Sequence, residues 1–273
     1  MTPDNRGAGG THPLPDPPPQ AGEGERTDPT ARLAEFLSIG DTRLNLPGVR
    51  IRDAATMLVI DRSGAVPKVL LGRRHHGHKF MPGMYVFPGG RVELDDRRMS
   101  AASALDQRVE ARLMREVRYP SPQKSRGFPL AAIREVFEES GLLLGVKREE
   151  PMRVPNEAWA HFAESGILPD LAAVHFIARA ITPPGRPRRF DTRFFAVDAD
   201  AIAARIDGVV TAESELVELI WLPIEDTLAL DMPGITMAVL EELKIRTAGG
   251  FTHDIPVPFY RMQHGKRLRE FLE

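Results

Sequence analysis

Arg134-Glu135-Val136-Phe137-Glu138-Glu139-Ser140-Gly141-Leu142 is the stretch that decides the fold. Glu135, Glu138 and Glu139 stand at i, i+3 and i+4. A helix over about Pro129 to Ser140 therefore projects all three carboxylates from one face. Like charges at those spacings repel by a few tenths of a kcal/mol per pair, roughly, so the helix gains no stability from them. A bound divalent cation would turn that repulsion into attraction. Hard ions such as Mg²⁺ take oxygen ligands, commonly one or two carboxylates plus phosphate oxygens of a substrate. Gly141 is placed to be the left-handed residue that ends the helix. A solvated acidic helix face would explain an isolated Glu-x-x-Glu-Glu equally well. Fixing Arg134, Gly141 and apolar residues at 136 and 142 as well lowers a chance match to on the order of one in 10⁴ or rarer.

Working outward, Ala54–Ile60 and Lys68–Arg73 read as two strands joined by a turn around Arg62-Ser-Gly-Ala. Met84–Phe87 is a short strand running into Pro88-Gly89-Gly90. Leu105, Val109, Leu113 and Val117 recur every four residues and predict a helix over Ser100–Arg118. Pro120–Phe128 breaks that pattern. Further strands are expected at Val174–Ile181, Arg193–Val197 and Leu216–Leu222, and helices at Glu157–Glu164, Ala199–Ile206 and Ile235–Thr247. Strands interleaved with helices make this an α/β domain.

The chain has 273 residues, a formal charge of −2 and no cysteine. Disulfide scaffolds, thiolate zinc sites, iron–sulfur clusters and cysteine nucleophiles are excluded. The charge argues against coating nucleic acid as the main task. No apolar run reaches the roughly 18 residues a membrane span needs, and no signal peptide is seen. The expectation is a soluble, cytoplasmic protein. Residues 1–30, rich in Pro and Gly, read as a disordered tail, followed by a short helix at Ala31–Gly40. The division expected is tail and helix over 1–49 and one domain over 50–273.

The Arg134–Leu142 segment, downstream of Phe87-Pro88-Gly89-Gly90, resembles the second half of the Nudix box: Gly, five residues, Glu, seven residues, then Arg-Glu-apolar-x-Glu-Glu-x-Gly-apolar. The resemblance implies a Nudix fold, a mixed β-sheet sandwiched between helices. It also implies a hydrolase of nucleoside diphosphates linked to another moiety, using Mg²⁺ or Mn²⁺. Carried over residue by residue, Glu138 and Glu139 would bind metal, and Glu135 would bind metal or act as base. The Gly90 carbonyl would be a further ligand, and Arg134 would orient a glutamate. Two departures stand out. Gly90 and Arg134 are 44 positions apart, so about 30 residues (roughly 95–127), helix included, are inserted inside the box. The Glu expected six after the Gly is Asp96, placed here with the metal ligands.

The stretch Val69–Gly90 partly resembles the motif upstream of the box in coenzyme A diphosphatases. The interrupted box and Arg188-Arg-Phe-Asp-Thr-Arg-Phe-Phe195 are similar to acyl-coenzyme A diphosphatases of the same superfamily. This implies coenzyme A or its acyl esters as substrate, with NADH, ADP-ribose or another nucleotide as the alternative. A non-catalytic Nudix-fold ligand sensor needs no acidic trio, and an RNA-processing hydrolase would suit a more basic chain. Family members are often dimers, so a homodimer is a further expectation.

Arg73, Arg74 and Lys79 flank His75-His76-Gly77-His78 and could meet phosphates there, although a solvated basic loop explains them as well. A zinc site at the histidines lacks Cys or a downstream His at ligand spacing. Arg189 and Arg193 are candidates for substrate binding. Asp191 and Arg193 share one strand face and could instead form an ion pair at the core edge. Glu215 or Glu218 could supply a base from the loop before Trp221, with a cap or surface role as the alternative. Trp159, near Phe162, reads as packing. The terminal Gly265-Lys-Arg-Leu-Arg-Glu reads as a solvated basic end.

Overall fold

The computed structural model describes residues 48–78 and 81–273. The tail, the helix expected at Ala31–Gly40 and Lys79 lie outside the described residues. The hairpin arms β1 (Ile51–Asp61) and β2 (Lys68–Arg74) are apolar on both sides and buried over most of their length, as central strands must be. They are followed by β3 (Tyr85–Val86) and β4 (Gly89–Arg91), which pair with β2 and β1. Helix α1 (Gln107–Met114) and the carboxylate helix α2 (Pro122–Ser140) come next. Then come β5 (Leu142–Leu144), β6 (Val146–Lys147), α3 (Ala160–Glu164), β7 (Ile167–Leu168), β8 (His175–Ile181), β9 (Arg189–Asp198), β10 (Ile202–Arg205) and β11 (Leu216–Pro223). Helix α4 (Gly234–Ala248) and the hairpin β12 (Val257–Gln263) and β13 (Lys266–Leu272) complete the chain.

The main sheet has nine strands along the path β11-β2-β1-β9-β8-β12-β13, with β3 and β4 attached. It is mixed: β1 with β9 and β8 with β12 run parallel, and the other pairs antiparallel. Alternate residues divide the core in two. Ala55, Met57, Val59 and Leu70 pack towards α2 and α1, while Leu58, Ile60, Val69 and Leu71 pack towards α4. The sheet is thus sandwiched between helices, as expected.

Three local readings are corrected. The carboxylate helix begins seven residues before the expected Pro129. Ser121 caps it by accepting the Lys124 N–H at 3.2 Å, and Pro122 fills the first turn. The prolines taken as a break are a start signal, and Pro129 sits inside the helix. The helix expected over Ser100–Arg118 is shorter, because Asp106 caps it and the backbone turns to positive φ at Glu116 and Tyr119. Its Leu105, Val109 and Leu113 are nonetheless buried together. Ala199–Ile206 is not an α-helix: a 3₁₀ turn leads into β10, which pairs with β5. The terminal basic segment, read as solvated, forms strand β13 with its side chains exposed or partly exposed through Glu270. Trp159 is wholly buried against Phe162, as its packing role required.

Candidate active site

The site forms where the carboxylate helix meets the Gly89-Gly90 strand. Gly141 ends the helix with φ of 75°, and its N–H reaches the Phe137 carbonyl at 2.8 Å. A Cβ there would lie 2.2 Å from the Ile206 carbonyl oxygen, so only glycine fits. Gly89 and Gly90 pair with Thr56 and Ala55. A Cβ on Gly90 would lie 2.4 Å from the Glu135 carboxyl carbon, and one on Gly89 would strike Thr56. The absence of side chains therefore lets two helix carboxylates close on the strand backbone.

Arg134 organises the inner end of the site. Its guanidinium is 2% exposed and faces Asp96, itself 1% exposed, through Nε and Nη2 at 2.8 and 3.2 Å. Nη2 also donates to the Arg91 carbonyl, and Nη1 donates to Glu135 and Glu138, each at 2.9 Å. Asp96 also accepts the Glu93 N–H at 2.7 Å. Asp96, expected among the metal ligands, has both its oxygens bonded to Arg134. Arg134, expected to orient a glutamate, contacts two of them, Glu135 and Glu138.

Glu139 is 7% exposed and accepts the Gly89 N–H at 3.0 Å. Burial raises its pKa well above the ordinary carboxylate value, and the charges of Glu135 and Glu215 add to this; the Gly89 N–H and Arg74 oppose it. Burial likewise raises Glu135 to about 7, with Arg134 opposing and Glu138 adding to the rise. Glu138 is exposed. Among the described residues no three carboxylate or imidazole side chains converge on one point, since Glu135 and Glu138 both turn to Arg134. The donor set still fits a hard cation. It offers only oxygens, and the Glu135 charge helps raise the pKa of the buried Glu139, which a divalent ion would reverse.

The arginine candidates separate. Arg74 pairs with Glu215 at 2.9 Å, and both carry their charge to Glu139, so this pair belongs to the carboxylate site. Arg73 points the other way along the strand alternation. It binds Glu218 at 2.7 Å, and Tyr85 donates to the same carboxylate oxygen at 3.2 Å. The Arg73 hydrogen bond holds Glu218 below its ordinary pKa. Of the two loop glutamates, Glu215 rather than Glu218 stands beside the helix carboxylates. The His75–His78 loop is tied to this edge through His75 N–H to Glu215 O, 3.0 Å. Arg193 is 1% exposed and bonded to Asp53 and Asp191, the ion-pair arrangement rather than a substrate contact. Arg189 donates to the Thr182 carbonyl beside Ile51, four residues along β1 from the Gly90 partner Ala55. The Arg134–Asp96 and Arg74–Glu215 pairings join residues far apart in sequence, and no local pattern could have revealed them.

No family model matches the chain. Among solved structures, it is similar to a Nudix hydrolase from Alicyclobacillus acidocaldarius, with a TM-score of 0.53 and 26% identity over 73% of this chain and 96% of that one. It is also similar to the Nudix domain of Shewanella oneidensis NrtR complexed with ADP ribose, with a TM-score of 0.41 and 12% identity over 78% and 97% of the two chains. A MutT protein from Methanosarcina mazei Go1 gives 0.40 and 14% over 74% and 99%. The fold and the first of these likenesses support a Nudix-type pyrophosphohydrolase. The first of these likenesses supports placing this chain in the Nudix hydrolase superfamily. No helix among the described residues is long and apolar enough to cross a membrane.

Proposed function

We propose that this protein hydrolyses the pyrophosphate bond of a nucleoside-diphosphate derivative with the help of Mg²⁺ or Mn²⁺. The observation that carries the reading is the meeting of Glu135 and Glu139 with the Gly89-Gly90 backbone, where one buried and one partly buried carboxylate face a strand stripped of side chains. Glu135, Glu138, Glu139 and the Gly90 carbonyl would hold the ion. When bound, the metal supplies charge neutralisation on the diphosphate and a lowered water pKa. Arg134 fixes the rotamers of Glu135 and Glu138 through Nη1. Glu215, whose Oε1 Arg74 holds at 2.9 Å, is the general base this reading favours. Arg74, beside the helix carboxylates, offers positive charge to a non-reacting phosphate.

Coenzyme A or an acyl ester is the substrate favoured by the Val69–Gly90 stretch, with NADH and ADP-ribose as competitors. We further propose one domain over 50–273, with residues 95–127 as an insertion within the box. Changing Glu138 to Gln tests the metal assignment: turnover should fall by about a thousandfold while the melting temperature stays within a few degrees. Near-full activity of E138Q would refute it. Mass spectrometry of products from coenzyme A esters, NADH, ADP-ribose and capped RNA separates the substrates. No release of 3′,5′-ADP from any coenzyme A species would remove the coenzyme A reading and leave the pyrophosphatase one.

A further inference from the structure

A second layer of buried charge lies under the carboxylate helix, and the chemistry above does not use it. Arg193 of β9 donates from Nη1 to Asp53 Oδ1 at 2.6 Å and to the Asp191 carbonyl at 2.8 Å, and its Nη2 lies 3.2 Å from Asp191 Oδ2. Its guanidinium lies over the Phe128 ring of the carboxylate helix, 3.9 Å from the ring centre. Asp191 is also held by Arg179 in a two-point fork, at 2.8 and 2.7 Å. Arg179 Nη1 and Nη2 also close the end of α1 by donating to the Arg115 and Glu116 carbonyls at 2.9 and 3.1 Å.

Register gives this layer a geometric meaning. Arg193 pairs across the sheet with Ala55, and Ala55 pairs with Gly90, so the three stand in one row. On the strand side, the Asp53 carbonyl accepts the Val92 N–H at 3.1 Å, fixing the chain just after Gly90 and Arg91. On the helix side, Phe128 lies seven residues before Glu135, about 10 Å along the axis. A single guanidinium therefore touches both β1, the strand that pairs with Gly89–Arg91, and the helix that carries the carboxylates. Burying ions in this way is costly, and apolar side chains of similar size often serve stability as well or better. What a planar, five-donor group adds is fixed geometry.

We propose that Arg193 is a positioning residue that sets the carboxylate helix against the Gly89-Gly90 strand and so sets the affinity of the site for its divalent cation. The inference rests on the metal-site reading above. Its test is Mn²⁺ binding followed by electron paramagnetic resonance, on the full chain, for wild type, R193M, R193K and L240A. Leu240 is a buried residue of α4 on the opposite face of the sheet, and its truncation serves as the stability control.

R193M should weaken Mn²⁺ binding at least tenfold. R193K keeps the charge but loses the fork, and should weaken it about threefold. L240A should stay within twofold of wild type despite a lower melting temperature. If R193M does not fold, R193K decides the matter alone. Mn²⁺ affinity within twofold of wild type in the folded Arg193 variants would overturn the positioning role, as would an equal loss in L240A. Failure of wild type to bind Mn²⁺ would instead overturn the metal-site reading and this inference with it.

Discussion

Replacing Arg134 with Met should unfold this protein far more readily than any loss at the surface of the site. The substitution removes two hydrogen bonds, at 2.8 and 3.2 Å, from an Asp96 carboxylate that is 1% exposed. Asp96 is left with the Glu93 N–H as its remaining hydrogen bond, a buried charge without a counter-ion. Breaking a buried pair from one side costs about 3–5 kcal/mol. For a domain of this size each kcal/mol lowers the melting temperature by roughly 2–4 °C, so the loss should be roughly 6–20 °C. Glu135 and Glu138 also lose a donor, but Glu138 is exposed and water replaces most of what it loses.

Urea titration followed by the fluorescence of the buried Trp159 measures the change directly. The double variant R134M/D96L removes both charges, and should recover about 2 kcal/mol or more relative to the sum of the single losses. A loss under about 1 kcal/mol for R134M, or strict additivity in the double variant, would refute the reasoning.

Other outcomes follow from the same geometry. Gly90→Ala places a Cβ on the Glu135 carboxylate; Mn²⁺ affinity should fall about tenfold or more with little change in melting temperature, and unchanged affinity would count against the site. Gly141→Ala combines a left-handed φ of 75° with a clash at the Ile206 carbonyl, and should cost about 2 kcal/mol or more in urea titration. His175 stacks on His253 at 4.2 Å, and burial, with the His253 ring adding, pushes its pKa down to about 4. The unfolded chain takes up that proton more readily, so stability is full above about pH 6.5 and falls as pH drops towards 4, by about 2 kcal/mol once discounted for the ring's partial exposure. His175→Phe should flatten that part of the stability–pH curve.

The carboxylate helix was legible because its signals are local: charges at i, i+3 and i+4, a glycine at the end, and apolar residues between. The β1–β2 hairpin was legible for the same reason, through two apolar runs and a turn. Pro129 misled because a proline usually opens or breaks a helix, whereas burial of Phe128, Leu130 and Ile133 around it holds the helix together. Ala199–Ile206 misled because a short Ala- and Ile-rich run suits helix and strand alike, and pairing with Leu142–Leu144 decided it. Arg193 showed its strand face in the sequence but not its partners, since Asp53 lies 140 residues away. Asp96 was assigned from counting along a motif, which could not show its pairing with Arg134, 38 residues away. Glu215 and Glu218 differ by three positions in sequence, and a bulge in β11 between Leu216 and Glu218 puts them with different arginines.

The claim at the centre of this account is that the Glu135–Glu138–Glu139 helix hydrolyses a pyrophosphate bond by means of a divalent cation. Cleavage of ADP-ribose, NADH and coenzyme A in ¹⁸O-labelled water, with Mn²⁺ and then with excess chelator, tests it most directly by mass spectrometry of the products. At least one substrate should yield two phosphomonoesters, one carrying a single ¹⁸O, with Mn²⁺ alone. No cleavage of any of them, or cleavage that the chelator leaves unchanged, would contradict it.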